Sequence, residues 1–438
     1  MISYHIIILA AGKGTRMRSP LPKVLHPLAG FPLIWHVLRL AESLNPMRIT
    51  CVISPDLQDF FSGSPHRIIL QDPPKGTGHA VEKALENAPD LADAPTLVLY
   101  GDTPLLTAST VQALLDLGGD MGLLTFRAPL PNPYGRVLCK DDGNAARIIE
   151  SSDLSPAQKQ NPDFPLNAGI MAFRGRILPN ILPRLRPHNQ QGEVYLTDTV
   201  ALIDGDGGCV RPLSVAAEEV LGINTQQELQ TAETVIQARL LKHHQDAGVI
   251  AGPSVVFSAD TVLAPGTHVH PYVVFGPSVR VDEGAIIHSF SHLAGCAIER
   301  GATVGPFARL RPGTIVGEAS HIGNFVELKA ATLGKGVKAG HLSYLGDASI
   351  GDDCNIGAGT ITCNYDGTHK HKTILESGVF VGSHSALVAP VTVHQGAYLG
   401  AGSVITQDVP KDTLAITRPA LTTVPHWSQR RKKDTPSS

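Results

Sequence analysis

The chain has few cysteines and no long apolar run, and both absences limit its class. Its six cysteines are far apart in 438 residues and form no CxxC pair, which excludes a disulfide framework and favours reduced thiols. They are Cys51, Cys139, Cys209, Cys296, Cys354 and Cys363. No stretch approaches about 18 apolar residues and no basic segment follows Met1, so we expect neither membrane insertion nor export. We therefore expect a cytoplasmic protein.

The chain is also poor in charge. Charged residues make up 17% of it, hydrophobic residues 42%, and the formal net charge is -3 at pH 7. This balance argues against disorder and against a dedicated nucleic-acid surface. One basic run, Arg430 to Lys433, stands alone beside Asp434, and we interpret it as a solvated tail. We expect no nucleic-acid partner.

Two kinds of pattern divide the sequence, and its length favours two domains. In the first half, short apolar runs alternate with helix-like segments, which predicts a parallel α/β sheet of the Rossmann-like class. The predicted strands are Ile6 to Leu9, Ile49 to Ile53, Thr96 to Tyr100 and Gly122 to Phe126. A helical pattern then covers 225–248 and stops at Gly248. We interpret it as a linker between domains 1–224 and 249–438.

Beyond the linker, glycine is frequent and apolar residues recur every six positions. The series are Phe275, Val281, Ile287 and Leu293; Val304, Leu310, Val316, Ile322 and Leu328; and Val381, Leu387, Val393, Leu399 and Ile405. A hexapeptide period is typical of a parallel β-helix, in which each coil buries its apolar residues against the next. The second half therefore predicts an all-β, left-handed β-helix. The phase breaks at 362–374, where we expect an extruded loop, and such helices commonly pack as homotrimers.

The first predicted strand leads into a small-residue turn at 9–17, which lets backbone N–H groups approach phosphates or a base. The dinucleotide fingerprint GxGxxG is not met, because Met17 occupies the third glycine position. Arg16 and Lys23 place two cations near this turn, where they can stabilise charge on a transferring phosphoryl group. Asp102 follows the third predicted strand and is placed to hold Mg²⁺ through a hard oxygen. A helix or turn cap is the alternative role for Asp102.

The motifs of the first half are similar to the signature of sugar-1-phosphate nucleotidyltransferases. The segment from Leu9 to Met17 with Pro22-Lys23 carries this similarity, and further matches follow in the family's order. They are Gln71 with Gly76-Thr77-Gly78-His79-Ala80, Tyr100-Gly101-Asp102, Tyr134-Gly135-Arg136, Glu150, Asn167-Ala168-Gly169, Gly192-Glu193, Tyr195-Leu196-Thr197-Asp198 and Gly222-Ile223-Asn224. With the second half included, nearly the whole chain resembles the bifunctional N-acetylglucosamine-1-phosphate uridyltransferase/glucosamine-1-phosphate acetyltransferase family.

For the first domain, the resemblance implies uridylyl transfer from UTP to N-acetylglucosamine-1-phosphate, with Mg²⁺ held by Asp102 and Asn224. The residues implied to bind UTP or UDP-N-acetylglucosamine are Leu9, Ala10, Ala11, Gly12, Lys23, Gln71, Gly76, Thr77, Tyr100, Gly101, Asp102, Gly135, Glu150, Asn167 and Asn224. Two positions depart from the family pattern. The stretch from Glu150 to Asp153 lacks the lysine of the family's Glu-x-Lys-Asp, and Val194 stands where an aromatic residue is common.

For the second domain, the resemblance implies acetyl transfer from acetyl-CoA to glucosamine-1-phosphate. This reaction needs a base for the amine proton, and His341 suits that role because an unperturbed imidazole is largely neutral at pH 7. A structural or surface histidine is the alternative. The residues implied for the amino-sugar phosphate are Arg311, Lys329, Tyr344 and Asn355. Those implied for acetyl-CoA, in part supplied by neighbouring subunits, are Ala358, Asn364, Tyr365, Ser383, Ala401 and Arg418.

Two other functions remain open from the sequence. A single-activity sugar nucleotidyltransferase would use the β-helix only for assembly or regulation, but the motifs around His341 and Asn364-Tyr365 speak against it. A non-catalytic trimeric scaffold is the second alternative. The presence of Lys23, Asp102 and Asn224 speaks against that interpretation.

Overall fold

The computed structural model describes residues 4–12, 14–187 and 192–429. The chain divides into two compact units, at 1–239 and 240–438. The basic run from Arg430 to Lys433 lies outside the described residues. No helix in the described ranges is both long enough and apolar enough to cross a membrane. All six cysteines lie in those ranges, and all six are free thiols.

The first unit is built on one mixed sheet. Its strands are β1 (His5–Ala10), β2 (Arg48–Ile53), β3 (Arg67–Leu70), β4 (Thr96–Tyr100), β5 (Met121–Phe126), β6 (Arg136–Cys139), β7 (Ala145–Ile149), β8 (Leu166–Phe173) and β9 (Val210–Ser214). A small hairpin, Pro27–Leu28 with Phe31–Pro32, stands apart from it. The four predicted strands are confirmed as β1, β2, β4 and β5, each within one residue of its predicted ends.

The strand order is β9-β5-β8-β4-β1-β2-β3, with β6 paired to β8 and β7. Strands β1 to β4 run parallel, and β9 runs parallel to β5, which confirms the Rossmann-like class. The sheet is not wholly parallel, however, because β8 runs antiparallel to β4 and β5. Between β5 and β8 the chain forms the antiparallel pair β6 and β7 instead of a long helical crossover. It therefore re-enters the sheet from the opposite end.

The helices, in chain order, are α1 (Leu33–Ser43), α2 (Thr77–Glu86), α3 (Ala108–Asp116), α4 (Pro156–Gln160), α5 (Ile177–Ile181), α6 (Asp198–Gly205) and α7 (Gln226–Asp246). Helices α1 and α2 pack on opposite faces of the sheet. Alternate residues of β1 point to opposite faces. Ile6 shares a buried cluster with Ile34 of α1, whereas Ile7 shares one with Val81 of α2. Because both faces of β1 are buried, its sequence is a continuous run of apolar residues.

The helix predicted at 225–248 is present as α7, and it begins with a variant of the capping box, in which the glutamate side chain bonds the residue before the N-cap. Thr225 Oγ1 accepts a hydrogen bond from the backbone N–H of Glu228 at 3.2 Å. In return, Glu228 Oε2 accepts from the backbone N–H of Asn224 at 2.7 Å. These bonds satisfy N–H groups that have no partner within the helix. They also fix Asn224 immediately before the first turn.

The second unit is a parallel β-helix with three faces, here called A, B and C. Face A contains Val262–Leu263, Arg280–Val281, Cys296–Ile298, Thr314–Val316, Thr332–Leu333, Ala348–Ile350, Thr373–Leu375 and Val391–Val393. Face B contains His268–Val269, Ile286–Ile287, Thr303–Val304, His321–Asn324, Lys338–His341, Asn355–Ile356, Phe380–Val381, Tyr398–Leu399 and Leu414–Ala415. Face C contains Val274–Phe275, His292–Leu293, Arg309–Leu310, Glu327–Lys329, Tyr344–Gly346, Ile361–Cys363, Ala386–Val388 and Val404–Ile405.

The hexapeptide prediction is confirmed by burial. The residues of all three predicted series belong to one apolar core that fills the β-helix, and each is at most 3% exposed. Val304, Ile322 and Ala339 illustrate the stacking, since each lies opposite the next on successive coils of face B. The predicted phase break is also present. Between Cys363 and Thr373 the chain leaves the coil, and a bridge between Tyr365 and Lys370 closes the resulting loop.

Candidate active sites

A cavity of about 270 Å³ opens at the carboxyl edge of the sheet in the first unit. Strands β1 and β4 are neighbours with Leu9 opposite Tyr100, so the segments that follow them meet at this edge. The predicted residues that line the cavity are Leu9, Ala10, Ala11, Gly12, Lys23, Gln71, Gly76, Thr77, Tyr100 and Asp102. Val24, Pro74, Ala80 and Glu193 also line it. Ala80 and Glu193 belong to the matching motifs, but the sequence assigned a binding role to none of the four.

Gly76 shows why one wall of this cavity requires glycine. Its φ is +104°, a conformation that residues with a Cβ rarely adopt. A Cβ at this position would collide with the backbone carbonyl oxygen of Val194. Helix α2 begins directly afterwards at Thr77, whose Oγ1 accepts from the backbone N–H of Leu196 at 3.0 Å. The glycine thus allows the chain to turn into α2 close against the 194–196 segment.

A second cavity of about 400 Å³ adjoins the first and shares Thr77, Tyr100 and Asp102 with it. Gly135, Glu150, Asn167 and Asn224, which the resemblance assigns to this first-unit site, all line this second cavity. Ser151, Ser152, Tyr134, Tyr195 and Thr197 line it too. Ser152 stands at the position of the missing family lysine and so lines the wall of this cavity in its place.

Glu150 is the acidic group of this wall. Thr197 Oγ1 donates to Glu150 Oε1 at 2.9 Å. Loss of hydration raises the pKa of Glu150 above its ordinary value, although the Thr197 hydrogen bond acts in the opposite direction. A carboxylate in this position can accept hydrogen bonds from the hydroxyl groups of a sugar.

Lys23 joins the two residues implied as metal ligands. Its Nζ contacts Asp102 Oδ2 and donates to Asn224 Oδ1 at 3.0 Å. The side chains of Lys23 and Asp102 are only 11% and 16% exposed. The three groups come from distant parts of the chain, and the capping box of α7 holds Asn224 in place. The arrangement concentrates one cation and two oxygen donors between the two cavities.

The same oxygen donors suit a divalent cation. Within 4–12, 14–187 and 192–429, no cluster of three or more His, Cys, Asp or Glu side chains forms a metal site. A carboxylate and an amide oxygen are hard ligands, and Mg²⁺ usually completes its shell with water and substrate phosphates. Asp102 and Asn224 therefore fit a metal that binds together with a nucleotide.

Two residues implied for the first site stand outside its cavities. Arg16 is exposed on the turn Thr15–Met17 and lines neither cavity. Gly101 is buried under the site, where a Cβ would approach Ile34 Cδ1 to 2.7 Å. Its N–H donates to the carbonyl oxygen of Leu9 at 2.9 Å. The absence of a side chain at Gly101 thus leaves room for Ile34 of α1 to pack under the site, which is a packing role.

In the second unit, cations collect on face C. Arg309 lies opposite Glu327 and Lys329 opposite Gly346, so this register places Arg311 and Lys329 on adjacent coils. Arg311 Nη1 contacts Glu327 Oε1 at 3.0 Å. Lys329 Nζ lies 3.5 Å from Asp347 Oδ2, which also accepts from Asn364 Nδ2.

Lys370 is a further cation of this cluster that the sequence analysis missed. It belongs to the loop at the phase break, and the nearby Lys329 ammonium lowers the pKa of Lys370 below its ordinary value. Arg311 also acts on Lys370 electrostatically. The signal available in the sequence was a basic residue in the same extruded loop as Asn364-Tyr365. Three cations on one surface can bind a phosphate.

His341 stands exposed at the end of the face B strand Lys338–His341. Its Nδ1 lies 2.7 Å from Asn324 Oδ1, on the preceding coil. When Nδ1–H donates to this oxygen, the lone pair remains on Nε2 and is available to take a proton. Asn324 is a second residue to which the sequence analysis gave no role. Tyr344 begins the next strand, on face C, and Asn355 lies opposite Lys338 on face B.

The residues implied for acetyl-CoA fall into two groups. Ala358, Ser383 and Ala401 follow one another on successive coils, because the backbones at 357 and 383, and at 382 and 401, are in close contact. Arg418 continues this column near Gly400. Asn364 instead lies in the cation cluster through Asp347, and Tyr365 is exposed in the adjoining loop. The column begins one coil after His341, because the backbone N–H of Gly359 donates to the carbonyl oxygen of Leu342.

The fold and the two sites define a transferase with a nucleotidyl-transfer unit and a hexapeptide-repeat acyl-transfer unit. Residues 6–137 match the model of the MobA-like NTP transferase domain. Residues 348–369 and 372–407 match the model of the hexapeptide repeat of succinyl-transferase. The two matches fall on the two units that the structure separates.

Similarity to curated relatives extends over nearly the whole chain. A protein from Paramagnetospirillum magneticum is 44% identical over 433 residues, which cover 97% of this chain and 96% of the relative. One from Bradyrhizobium diazoefficiens is 48% identical over 423 residues, covering 94% and 93%. Both are named bifunctional protein GlmU. The chain belongs to the GlmU family, and nucleotidyltransferases of this type require a divalent metal.

Proposed function

We propose that the chain makes UDP-N-acetylglucosamine in two transfers. The second unit moves an acetyl group from acetyl-CoA to the amine of glucosamine-1-phosphate. The first unit then joins the product to the uridylyl group of UTP and releases pyrophosphate. The observation that carries this proposal is the pair of adjoining cavities in the first unit, which share Thr77, Tyr100 and Asp102. A nucleotide and a sugar phosphate need such neighbouring sites to react.

In the uridylyl transfer, a phosphate oxygen of the sugar attacks the α-phosphorus of UTP, and pyrophosphate leaves. Catalysis of phosphoryl and nucleotidyl transfer is mostly positioning and neutralisation of charge. The Lys23 ammonium supplies a positive charge at the junction of the two cavities. Glu150 and Asn167 hold the amino sugar in the second cavity. Arg16, on its exposed turn, contacts the outer phosphates of the bound nucleotide.

The metal of this site is proposed to be Mg²⁺, held by Asp102 and Asn224. When bound, it neutralises negative charge on the phosphates. The two oxygen donors that contact Lys23 support this assignment. The chain's own contribution is to hold these donors through the capping box of α7 and the carboxyl end of β4.

In the acetyl transfer, His341 Nε2 takes the proton from the amine as the amine attacks the thioester carbonyl of acetyl-CoA. The C–N bond of the amide forms, the C–S bond breaks, and coenzyme A leaves as its thiol with the proton that His341 took. Asn324 fixes the imidazole through Nδ1. Arg311, Lys329 and Lys370 bind the phosphate of the amino sugar, and Tyr344 and Asn355 orient its hydroxyl groups. Acetyl-CoA extends from Asn364 and Tyr365 along the column that ends at Arg418.

The assembly is proposed to be a homotrimer. A ladder of aromatic side chains runs along one corner of the β-helix. It consists of Tyr272, Phe290, Phe307 and Phe325, stacked with ring centroids 4.9 to 5.3 Å apart and each 46% to 58% exposed. The next coil places exposed Leu342 at this corner, beside His341. An apolar strip of this kind favours burial against other copies of the chain, which would enclose the acetyl-transfer site.

The decisive experiment mixes the purified chain with glucosamine-1-phosphate and acetyl-CoA, without UTP, and follows free coenzyme A thiol. Thiol release that depends on the amino sugar is expected. If none occurs while UTP and N-acetylglucosamine-1-phosphate still yield pyrophosphate, the β-helix is a scaffold and the single-activity alternative is correct. Light scattering of the same sample tests whether the chain forms a trimer. Cell fractionation tests the proposed cytoplasmic location of the protein.

A further inference from the structure

Gln71 is a buried amide at the wall of the nucleotide cavity. It follows β3 and is only 4% exposed. Its Nε2 lies 3.0 Å from the carbonyl oxygen of Gly76. A carbonyl oxygen can only accept hydrogen bonds, so the atom facing it must be the amide nitrogen and not the amide oxygen. This contact fixes the orientation of the Gln71 side chain.

The second N–H of Gln71 is taken by a histidine. Nε2 of Gln71 also lies 3.0 Å from Nδ1 of His79, on the first turn of α2. Since Gln71 donates here, Nδ1 must carry a lone pair, and the proton of the neutral ring is on Nε2. Partial burial lowers the pKa of His79, and the Lys83 and Lys75 ammonium groups act in the same direction, against Glu82 and Glu86. These effects favour the neutral ring.

Both N–H groups of Gln71 are therefore engaged inside the protein. None of the residues 4–12, 14–187 and 192–429 donates a hydrogen bond to its Oε1. Towards a ligand, the Gln71 side chain can therefore act only as a hydrogen-bond acceptor. Uracil carries an N–H at ring position 3, whereas cytosine carries a bare acceptor nitrogen there.

We propose that His79 is a positioning residue that sets the base selectivity of the nucleotidyl-transfer site. By accepting from Gln71, it holds the amide with Oε1 toward the base, where it accepts the ring N–H of a uracil nucleotide. The same oxygen faces the lone pair of a cytosine ring and rejects it. This inference rests on the proposed uridylyl transfer and extends it to the residue behind the base contact.

Two variants whose side chains branch at Cγ, as that of His79 does, distinguish the positioning role of His79 from a purely structural one. In His79→Asn, the amide Oδ1 takes the place of Nδ1 and still accepts from Gln71. In His79→Leu, a methyl group stands there, and the second N–H of Gln71 loses its partner. The measurement is kcat/KM with UTP and with CTP, each with N-acetylglucosamine-1-phosphate. We expect His79→Leu to lower the UTP to CTP ratio by about tenfold or more, and His79→Asn to keep it within about threefold of wild type.

Controls make each outcome decisive. Glu82→Gln, on the same helix, should leave the ratio unchanged, and urea unfolding of each preparation, followed by circular dichroism, reports folding of the first unit. The wild-type ratio should also fall at acid pH, as His79 is protonated, and the His79→Leu ratio should not follow pH. If wild type does not use UTP at all, the proposed function fails. If wild type uses UTP but His79→Leu retains the full ratio, the role of His79 is refuted.

Discussion

Replacement of Lys23 by methionine tests the centre of the first site. The Lys23 ammonium lies against the oxygen donors of Asp102 and Asn224. These are the donors proposed for the metal, so in the absence of nucleotide the ammonium and a divalent cation compete for them. Lys23→Met removes the competitor but also removes a positive charge from the transferring phosphate. Metal affinity and catalysis should therefore change in opposite directions.

The size of the effect follows from burial. With side chains 11% and 16% exposed, the contact between Lys23 and Asp102 is a partly desolvated, charge-assisted one. Hydrogen bonds to charged groups contribute about 1.5–3 kcal/mol, which corresponds to about 10- to 100-fold in an equilibrium constant. We expect Lys23→Met to bind metal tighter by about this factor without nucleotide. Its uridylyl transfer should fall by about 100-fold or more in kcat/KM.

Titration of nucleotide-free protein with Mn²⁺, followed by electron paramagnetic resonance, gives the metal affinity. Pyrophosphate release gives the rate, and urea unfolding followed by circular dichroism confirms that the first unit is folded. Lys83→Met is the matched control. The ion pair between Lys83 and Glu86 is exposed on α2, so the loss of this lysine should change the free energy far less. Metal affinity of Lys23→Met that equals or falls below that of the control would refute the competition between ammonium and metal.

Three further predictions address other parts of the molecule. His341→Ala should abolish most acetyl transfer, measured as coenzyme A thiol, and keep uridylyl transfer; loss of both or of neither would contradict its assignment. Ile322→Ala should lower the free energy of unfolding by about 2–5 kcal/mol in urea titrations, because Ile322 is fully buried between Val304 and Ala339. Glu150→Gln should be stabilising at neutral pH and lose this advantage in acid. The raised pKa of Glu150 means that wild type loses stability as pH rises from the unfolded-state pKa through the folded one. Unfolding titrations across pH would show the reverse trend if this sign is wrong.

The sequence was most informative for those parts of the fold in which a local residue pattern directly determines the local structure. The six-residue period predicted the β-helix, because each coil repeats one burial position and the stacking follows from it. Ile322 and Leu328 could be placed in the core from spacing alone, and both are fully buried. The four apolar runs of the first half likewise became strands, since burial on both faces requires them to be apolar throughout.

The direction of β8 could not be derived in this way. Its residues have the apolar character of a buried strand, but antiparallel entry depends on the β6 and β7 pair that precedes it. A strand's pattern of burial is the same for either direction. Only the path of the whole chain decides which end it enters from.

The residue types of the candidate sites were determined by the sequence, through motifs that match a known family. Their meeting was decided by the tertiary structure alone. Lys23 lies 79 residues from Asp102 and 201 from Asn224, and no local pattern reports a contact over such a separation. The same holds for Lys370, which an extruded loop brings to Lys329, and for Asn324, which coil stacking sets beside His341. Sequence periodicity reflects what each residue buries locally, whereas an active site requires distant segments to converge, and only the folded chain fixes that convergence.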